Sequence, residues 1–176
     1  MSQTAQNKRP IEKAADIIRD AGGKIVGRTR LQKIACLMEL AGVGYGFSFE
    51  YHHYGPYSEE LTHAIRDAYL IGLLNEEECS ASWGGTYSVY TTDVASVLPP
   101  SSPQKILVQL AVDADPIELE LAITAAFLGS QGEGNPWQET ENRKSEKARD
   151  GRLERAKHLY EKFRAVNSPI PLPPLE

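Results

Sequence analysis

Three of the four histidines raise the first chemical question, because imidazole binds metals and transfers protons near neutral pH. They are His52, His53 and His63. His52 and His53 are adjacent in a run that alternates polar and apolar residues, so an extended chain would point them to opposite faces. No cysteine or carboxylate stands at a spacing that would complete a tetrahedral site. We therefore predict no metal and no cofactor.

The cysteines and serines give no sign of a catalytic nucleophile. Cys36 lies within a helical pattern of apolar residues, and Cys79 directly follows three glutamates, which disfavour a thiolate. No serine stands in a strand–turn–helix nucleophile pattern. The glycine-rich segment 132–134 lacks the Gly-Lys-Ser/Thr ending of a phosphate loop. The sequence therefore predicts no catalytic residues and a protein that is not an enzyme.

Binding chemistry is better represented, in an aromatic turn over residues 54–57 that an acidic helix start follows. Tyrosine combines a large apolar ring with a polar tip, which suits protein interfaces and base stacking alike. Two glutamates come two and three residues after the turn, where a helix dipole favours acids. The predicted partner-binding residues are Tyr54, Gly55, Pro56, Tyr57, Glu59 and Glu60.

A basic cluster precedes this turn, with no acid between Asp20 and Glu39. An exposed basic face of this kind is either a solvated helix surface or a phosphate contact, and the sequence leaves both open. The possible nucleic-acid contacts are Lys24, Arg28, Arg30 and Lys33. Residues 75–135 hold 1 basic and 9 acidic side chains, which argues against a broad phosphate-binding surface.

The elements that must position these residues follow from periodicity and capping signals. Apolar residues at helical spacing predict helices from Pro10, from an N-cap at Thr29 and from an N-cap at Ser58. Residues 24–26 are predicted to be a short extended segment, and alternation predicts strands over 47–52 and 86–91. Residues 75–85 are predicted to be an acidic loop. Two strands beside three helices predict the wing of a winged helix.

The second half of the chain is predicted to be helical. The proline-rich segment 99–103 is the predicted boundary between a winged-helix-like domain over 1–98 and a helical extension over 99–166 that packs on it. The segment 117–128 is apolar on nearly every side, so we expect a buried helix there. Residues 167–176 form a proline-rich tail that we expect to be disordered unless it docks. The fold class is therefore mainly α (α+β).

Composition bounds the location. The chain has 176 residues, a formal net charge of −5 and no run of 18 apolar residues, so no membrane span is expected. The N-terminus has no apolar signal-peptide region, and two cysteines fit a reducing compartment. We expect a cytoplasmic protein, and its oligomeric state is not predicted.

Three motifs carry a resemblance to a known family. They are Arg30-Leu31-Gln32-Lys33-Ile34, the segment from Phe49 to Leu61 that contains Tyr54-Gly55-Pro56-Tyr57-Ser58, and Gly72-Leu73-Leu74. With these motifs the chain resembles the YwgA-like family and, more distantly, Panacea-type antitoxin domains and the C-terminal domain of DarG-type antitoxins. The resemblance covers roughly residues 28–98. It implies a winged-helix-like fold, no enzyme activity and no cofactor.

The sequence and the resemblance leave two candidate functions open. The resemblance implies a non-enzymatic module that binds a protein partner, since the antitoxin relatives bind and neutralise toxins. The alternative is a DNA-binding regulator of the winged-helix type, in which the helix from Ser58 would enter the major groove. That helix opens with Glu59 and Glu60, and carboxylates repel phosphates. We therefore favour an antitoxin-like or adaptor-like module that binds a protein partner, with a toxin as one candidate for that partner.

Overall fold

Seven helices and five strands form in residues 7–176, the part of the chain that the computed structural model describes. In chain order they are α1 (Pro10–Asp20), β1 (Lys24–Val26), α2 (Arg28–Leu40), β2 (Glu50–His52), β3 (Gly55–Tyr57), α3 (Glu59–Leu70), β4 (Asn75–Ser80), β5 (Thr86–Thr91), α4 (Pro103–Asp113), α5 (Pro116–Ser130), α6 (Pro136–Arg143) and α7 (Arg152–Arg164). The predicted mainly α, α+β fold class is confirmed.

Local capping fixes where several of these helices begin. Ser58 accepts a hydrogen bond from the Leu61 amide at the start of α3, and Ser102 accepts one from the Lys105 amide at the start of α4. The predicted cap at Thr29 was wrong. Helix α2 already begins at Arg28, after Gly27 with φ +99°, and no side chain caps it.

The strands form two separate antiparallel sheets. Strand β5 lies between β1 and β4 in a three-stranded sheet, with Val89 opposite both Val26 and Glu77. Strands β2 and β3 pair only with each other, as a short hairpin that contains the aromatic turn. Helix α1, strand β1, helices α2 and α3 and the β4–β5 hairpin follow one another as in a winged-helix-like domain, with the β2–β3 hairpin inserted between α2 and α3.

Two sequence predictions about the wing are corrected. Residues 75–80, predicted as part of an acidic loop, form strand β4, because pairing with β5 outweighs the poor strand propensity of glutamate. The wing is therefore the β4–β5 hairpin. The strand predicted over 47–52 is shorter, Glu50–His52, and it belongs to the β2–β3 hairpin instead of the wing.

One hydrophobic core spans both sides of the predicted boundary at residue 98. Helix α5 lies at its centre, with Leu119, Leu121 and Ile123 fully buried, and it packs against α2 on one side and α7 on another. Trp137 meets Tyr160 edge to face at a centroid distance of 5.9 Å. The helical extension and the winged-helix-like domain thus share their packing.

A buried polar cluster ties α1 to α4 at the edge of this core. The Asp20 carboxylate accepts hydrogen bonds from the Tyr45 hydroxyl, from Arg19 and from Gln104 Nε2, the last at 2.9 Å. Burial raises the pKa of Asp20 above its usual value, and the hydrogen bonds from Tyr45 and Arg19 oppose that rise. The cluster supplies partners for a carboxylate that has no solvent exposure.

The C-terminal tail is docked, so its predicted disorder is corrected. The Tyr160 hydroxyl donates to the Pro173 carbonyl at 2.6 Å, and the Ile170 amide donates to the Ala41 carbonyl at 3.0 Å. Leu172 is buried against the core. Prolines restrict the unfolded tail, so less conformational entropy is lost when it docks.

Candidate functional site

The Leu-Gln-Lys motif of α2 holds the aromatic turn through the turn's backbone. Gln32 Oε1 accepts from the Ser58 amide at 2.8 Å, and Gln32 Nε2 donates to the Ser58 carbonyl at 3.1 Å. Lys33 Nζ donates to the Pro56 carbonyl at 3.0 Å. These three hydrogen bonds join two motifs that lie more than twenty residues apart in sequence. They form a clamp, by which we mean the contacts of Gln32 and Lys33 with residues 56 and 58.

The ammonium group of the clamp is deeply buried. Lys33 is only 1% exposed. Burial lowers the pKa of Lys33 to about 8, although the nearby Glu120 carboxylate acts in the opposite direction. Burying an ammonium group with few partners costs free energy. The hydrogen bond to Pro56 offsets part of this cost, and the lowered pKa shows that burial still disfavours the charged form.

Gly55 lets the turn approach helix α5 closely. Its φ is +90°, and a Cβ at this position would stand 2.4 Å from Thr124 Oγ1. Only glycine meets both demands without strain. The Thr124 hydroxyl is fully buried and has no hydrogen-bond partner within residues 7–176, so the backbone of the turn packs against a polar atom without bonding it.

An ion cluster lies beside the clamp. The Glu120 carboxylate of α5 is buried and accepts from Lys144 Nζ at 2.7 Å and from Lys147 Nζ at 2.8 Å. Lys147 Nζ also lies 5.0 Å from the centroid of the Tyr54 ring. The segment after α6 is therefore tied both to α5 and to the tip of the β2–β3 hairpin.

The predicted partner-binding residues divide into interior and surface positions. Gly55 and Pro56 are buried, so they shape the turn and do not form its surface. Tyr57 is half-buried, with its ring 4.9 Å from that of His52 and its hydroxyl bonded to Thr62. Tyr54 is 63% exposed. Glu59 and Glu60 are also exposed, at the start of α3.

The predicted basic face is largely an internal structure. Arg30 Nη1 donates to the carbonyls of Ala111, Val112 and Ala114 at 2.8–3.0 Å, so it closes the end of α4. Lys33 belongs to the clamp. The expectation that all four basic side chains face solvent was therefore wrong for these two. Lys24 and Arg28 are exposed, and Arg28 lies 3.5 Å from the Glu76 carboxylate.

The acidic groups lie at opposite ends of α3. Glu59 and Glu60 occupy its first turn, whereas Glu77 and Glu78 stand on β4, which follows its last turn. A helix of 12 residues rises about 18 Å. Asp67 is exposed between them, next to the one basic residue of α3, Arg66. The two acidic groups are therefore separated along the chain by the length of α3.

Reactive groups do not converge in the described part of the chain. Residues 7–176 contain no cluster of three histidine, cysteine, aspartate or glutamate side chains that could hold a metal. Burial raises the pKa of the Cys36 thiol to about 12, which keeps it protonated and unreactive. Within the same residues, no helix has the length and apolar character that a membrane crossing requires.

The geometry defines a winged-helix-like domain whose aromatic turn is held from within and whose third helix presents acids to solvent. The chain is similar to the uncharacterized protein YwgA of Bacillus subtilis (strain 168), with 39% identity over 54 residues. The match covers 31% of this chain and 32% of YwgA, so the chain spans about a third of the relative's length. It supports the resemblance to a YwgA-like family. No family model matches the chain.

Proposed function

We propose that the protein is a non-enzymatic binding module, antitoxin-like or adaptor-like, that engages a protein partner with a basic surface. The observation that carries the proposal is the acidic character of α3, the helix that a winged-helix DNA reader would insert into the major groove. Its exposed first turn holds Glu59 and Glu60, and Asp67 follows on the same helix. Basic partner side chains would meet these carboxylates with complementary charge.

The same surface is unfavourable for DNA. Affinity for duplex DNA comes largely from lysine and arginine contacts that release counterions from phosphates. The single arginine of α3, Arg66, pairs with Asp67 at 3.2 Å. Arg30 and Lys33, which could have supplied phosphate contacts from α2, bond to backbone carbonyls inside the protein. The wing adds Glu77 and Glu78.

The resemblance to Panacea-type and DarG-type antitoxin domains supports a toxin as the class of partner, and a cytoplasmic location fits that role. The exposed aromatic ring of Tyr54 lies near the acidic start of α3 in sequence. An exposed tyrosine beside charged groups is a frequent anchor at protein interfaces. We place Tyr54, Tyr57, Glu59 and Glu60 in the proposed partner contact.

Co-purification from native lysate tests the proposal. Affinity-tagged wild-type protein is expected to recover a stoichiometric protein partner, and the E59K/E60K variant is expected to lose it. The matched control is E141K/E146K, which makes the same charge change at two exposed glutamates outside α3 and should still recover the partner. Recovery of no stoichiometric protein, together with tight and salt-sensitive binding to duplex DNA, would falsify the proposal.

DNA binding remains the second candidate because Lys24 and Arg28 stay exposed at the start of β1 and α2. A gel shift with random duplex at low salt tests it. If this candidate is correct, the K24A/R28A variant binds the duplex more weakly, and the salt dependence of its binding falls by the equivalent of about two phosphate contacts. A shift that the double replacement leaves unchanged rules out these residues as the contact.

A further inference from the structure

We propose that the free edge of β4 is a docking site for an extended, basic segment of the protein partner, which adds to the wing as a fourth strand. This inference rests on the proposed function, because it assigns the partner's contact chemistry. The proposed docking site is separate from the contact proposed above, because β4 follows the last turn of α3, whereas Glu59 and Glu60 lie in its first turn.

The first observation is the outer backbone of β4, which has no partner strand within residues 7–176. The sheet has the order β1-β5-β4, and β4 pairs with β5 along all six of its residues. In an antiparallel strand, alternate residues point their N–H and C=O groups away from the paired neighbour. On β4 these groups lie at the sheet's edge, and such an edge is a template for another strand. The opposite edge, β1, has only three residues.

The second observation is the charge along this edge, which selects the occupant. Glu76 is held by Arg28 at 3.5 Å, while Glu77 and Glu78 are exposed. Consecutive residues of a strand point to opposite faces, so an added strand would meet a carboxylate on each face. Lysine or arginine in adjacent positions of the incoming segment would satisfy both.

The same charges exclude self-association through this edge. Two antiparallel copies of β4 would bring glutamates opposite glutamates, and like charges in cross-strand pairs are destabilising. A hydrophobic strand would leave Glu77 and Glu78 beside apolar side chains. A basic segment is thus the occupant with matching chemistry, and a second copy of this chain is not.

The third observation is an apolar area on the outer face of the same sheet. Val26 is 42% exposed and Tyr87 is 39% exposed, and Tyr87 stands opposite Cys79 of β4. Trp83, at the tip of the β4–β5 hairpin, is 75% exposed. A residue of an added strand paired with Cys79 would lie on this same face, with Cys79 between it and Tyr87, so the segment should carry an apolar residue next to its basic pair.

A fluorescent eight-residue peptide tests the site directly. The probe contains valine and threonine with two adjacent lysines at its centre, and binding is followed by fluorescence anisotropy at low salt. The full-length wild-type protein is expected to bind it. The E77K/E78K variant is expected to bind at least about tenfold more weakly. The matched control is E141K/E146K, which makes the same charge change at two exposed glutamates outside both proposed contacts and should leave peptide affinity unchanged.

A second peptide separates strand addition from simple charge attraction. It has the same sequence but carries N-methyl groups on alternate residues, so it keeps both lysines and cannot donate along one edge. Strand addition predicts at least about tenfold weaker binding of this peptide. In the complex with the unmethylated peptide, the outward amides of β4 should also become protected from hydrogen exchange.

Equal affinity for the methylated and unmethylated peptides would overturn the edge proposal, and so would an equal loss of binding in E141K/E146K. If a protein partner is still recovered from lysate in that case, the proposed function survives and only the β4 site fails. If duplex DNA is bound and no protein partner is recovered, the proposed function fails as well.

Discussion

Replacing Lys33 with methionine should change how stability depends on pH, because this lysine is buried in the clamp with a pKa lowered to about 8. Methionine keeps the unbranched shape and volume but removes the titrating group. The quantity to follow is the difference between the free energies of unfolding of wild type and of K33M. The size of this difference also includes the Pro56 contact that K33M loses, whereas the pH dependence of the difference reports the titration of Lys33.

The expected magnitude follows from linkage. The lysine has a pKa of 10.5 when unfolded and about 8 when folded, so between these values the unfolded chain binds more protons. The wild-type free energy of unfolding should therefore rise with pH through this window, relative to K33M. Between pH 7 and pH 9.5 the rise should be about 2 kcal/mol, since each pKa unit is worth about 1.4 kcal/mol.

The difference is needed because other groups act in the opposite direction. Burial raises the pKa of Cys36 to about 12 and that of Tyr90 to about 12, so the stability these groups provide is lost as pH rises above their unfolded values. Both groups stay protonated in the folded state of wild type and of K33M up to pH 9.5, so their contributions cancel in the difference. Urea denaturation at intervals of half a pH unit, followed by circular dichroism, provides the free energies.

The control is K24M, which removes an exposed lysine in the same region and should give a curve parallel to that of wild type. Curves for wild type and K33M that remain parallel within about 0.5 kcal/mol, near the error of extrapolated values, would refute the reasoning. In that event Lys33 is solvated in the folded protein, and the clamp does not hold the turn as described.

Three further changes test the turn, the tail and the end of α4, each by urea denaturation. G55A should lower the free energy of unfolding by about 2–4 kcal/mol, because the new Cβ would stand 2.4 Å from Thr124 Oγ1 at a positive φ; an unchanged midpoint would contradict this close approach. Ending the chain at residue 167 should cost about 2–4 kcal/mol, through exposure of core beneath Leu172 and loss of the tail's hydrogen bonds; full retention of stability would mean that the tail is not docked. R30A should lower the free energy of unfolding by about 2–4 kcal/mol, because three carbonyls lose their donor. The control R28A removes an exposed arginine and should change the free energy of unfolding by less than about 0.5 kcal/mol. Equal effects of the two replacements would refute the role of Arg30.

Local signals predicted the helices well because capping and periodicity depend on neighbours in sequence. Ser58 caps the helix predicted to begin there, Ser102 caps α4, and Asp115 caps α5 by accepting from the amides of Ile117 and Glu118. The apolar segment 117–128 lies at the core centre for the reason given by its composition: it has no polar face to present to water.

Contacts between distant segments were not predictable in the same way. The glutamates of β4 have low strand propensity, and only their pairing with β5 makes the segment a strand. Arg30 and Lys33 have the composition of a solvated helix face, and their burial depends on where carbonyls of α4 and of the aromatic turn lie in space. The spacing of residues in the sequence does not reveal which backbone carbonyls of a distant segment lack a hydrogen-bond donor.

The tail, residues 167–176, shows a third way in which the sequence prediction and the structure differ. Its prolines argue correctly against helix and strand, and residues 167–176 contain neither. They do not reveal that Tyr160 and Arg164 of α7 point hydrogen-bond donors at the tail's carbonyls. Composition describes the conformations a segment can adopt, whereas docking depends on the surface that receives it.

The clamp has a consequence for homology searches with this chain, and for which properties of a homologue can be assigned to it. Gln32, Lys33, Gly55, Pro56 and Ser58 are all interior, and each satisfies a demand of the backbone. A sequence search that depends on these positions therefore retrieves proteins that share a scaffold, whatever they bind. Differences in partner specificity should instead arise from substitutions at the exposed positions around Tyr54, Glu59 and Glu77. Grouping homologues by those surface positions, and not by the shared motif, should separate the lineages that bind different partners.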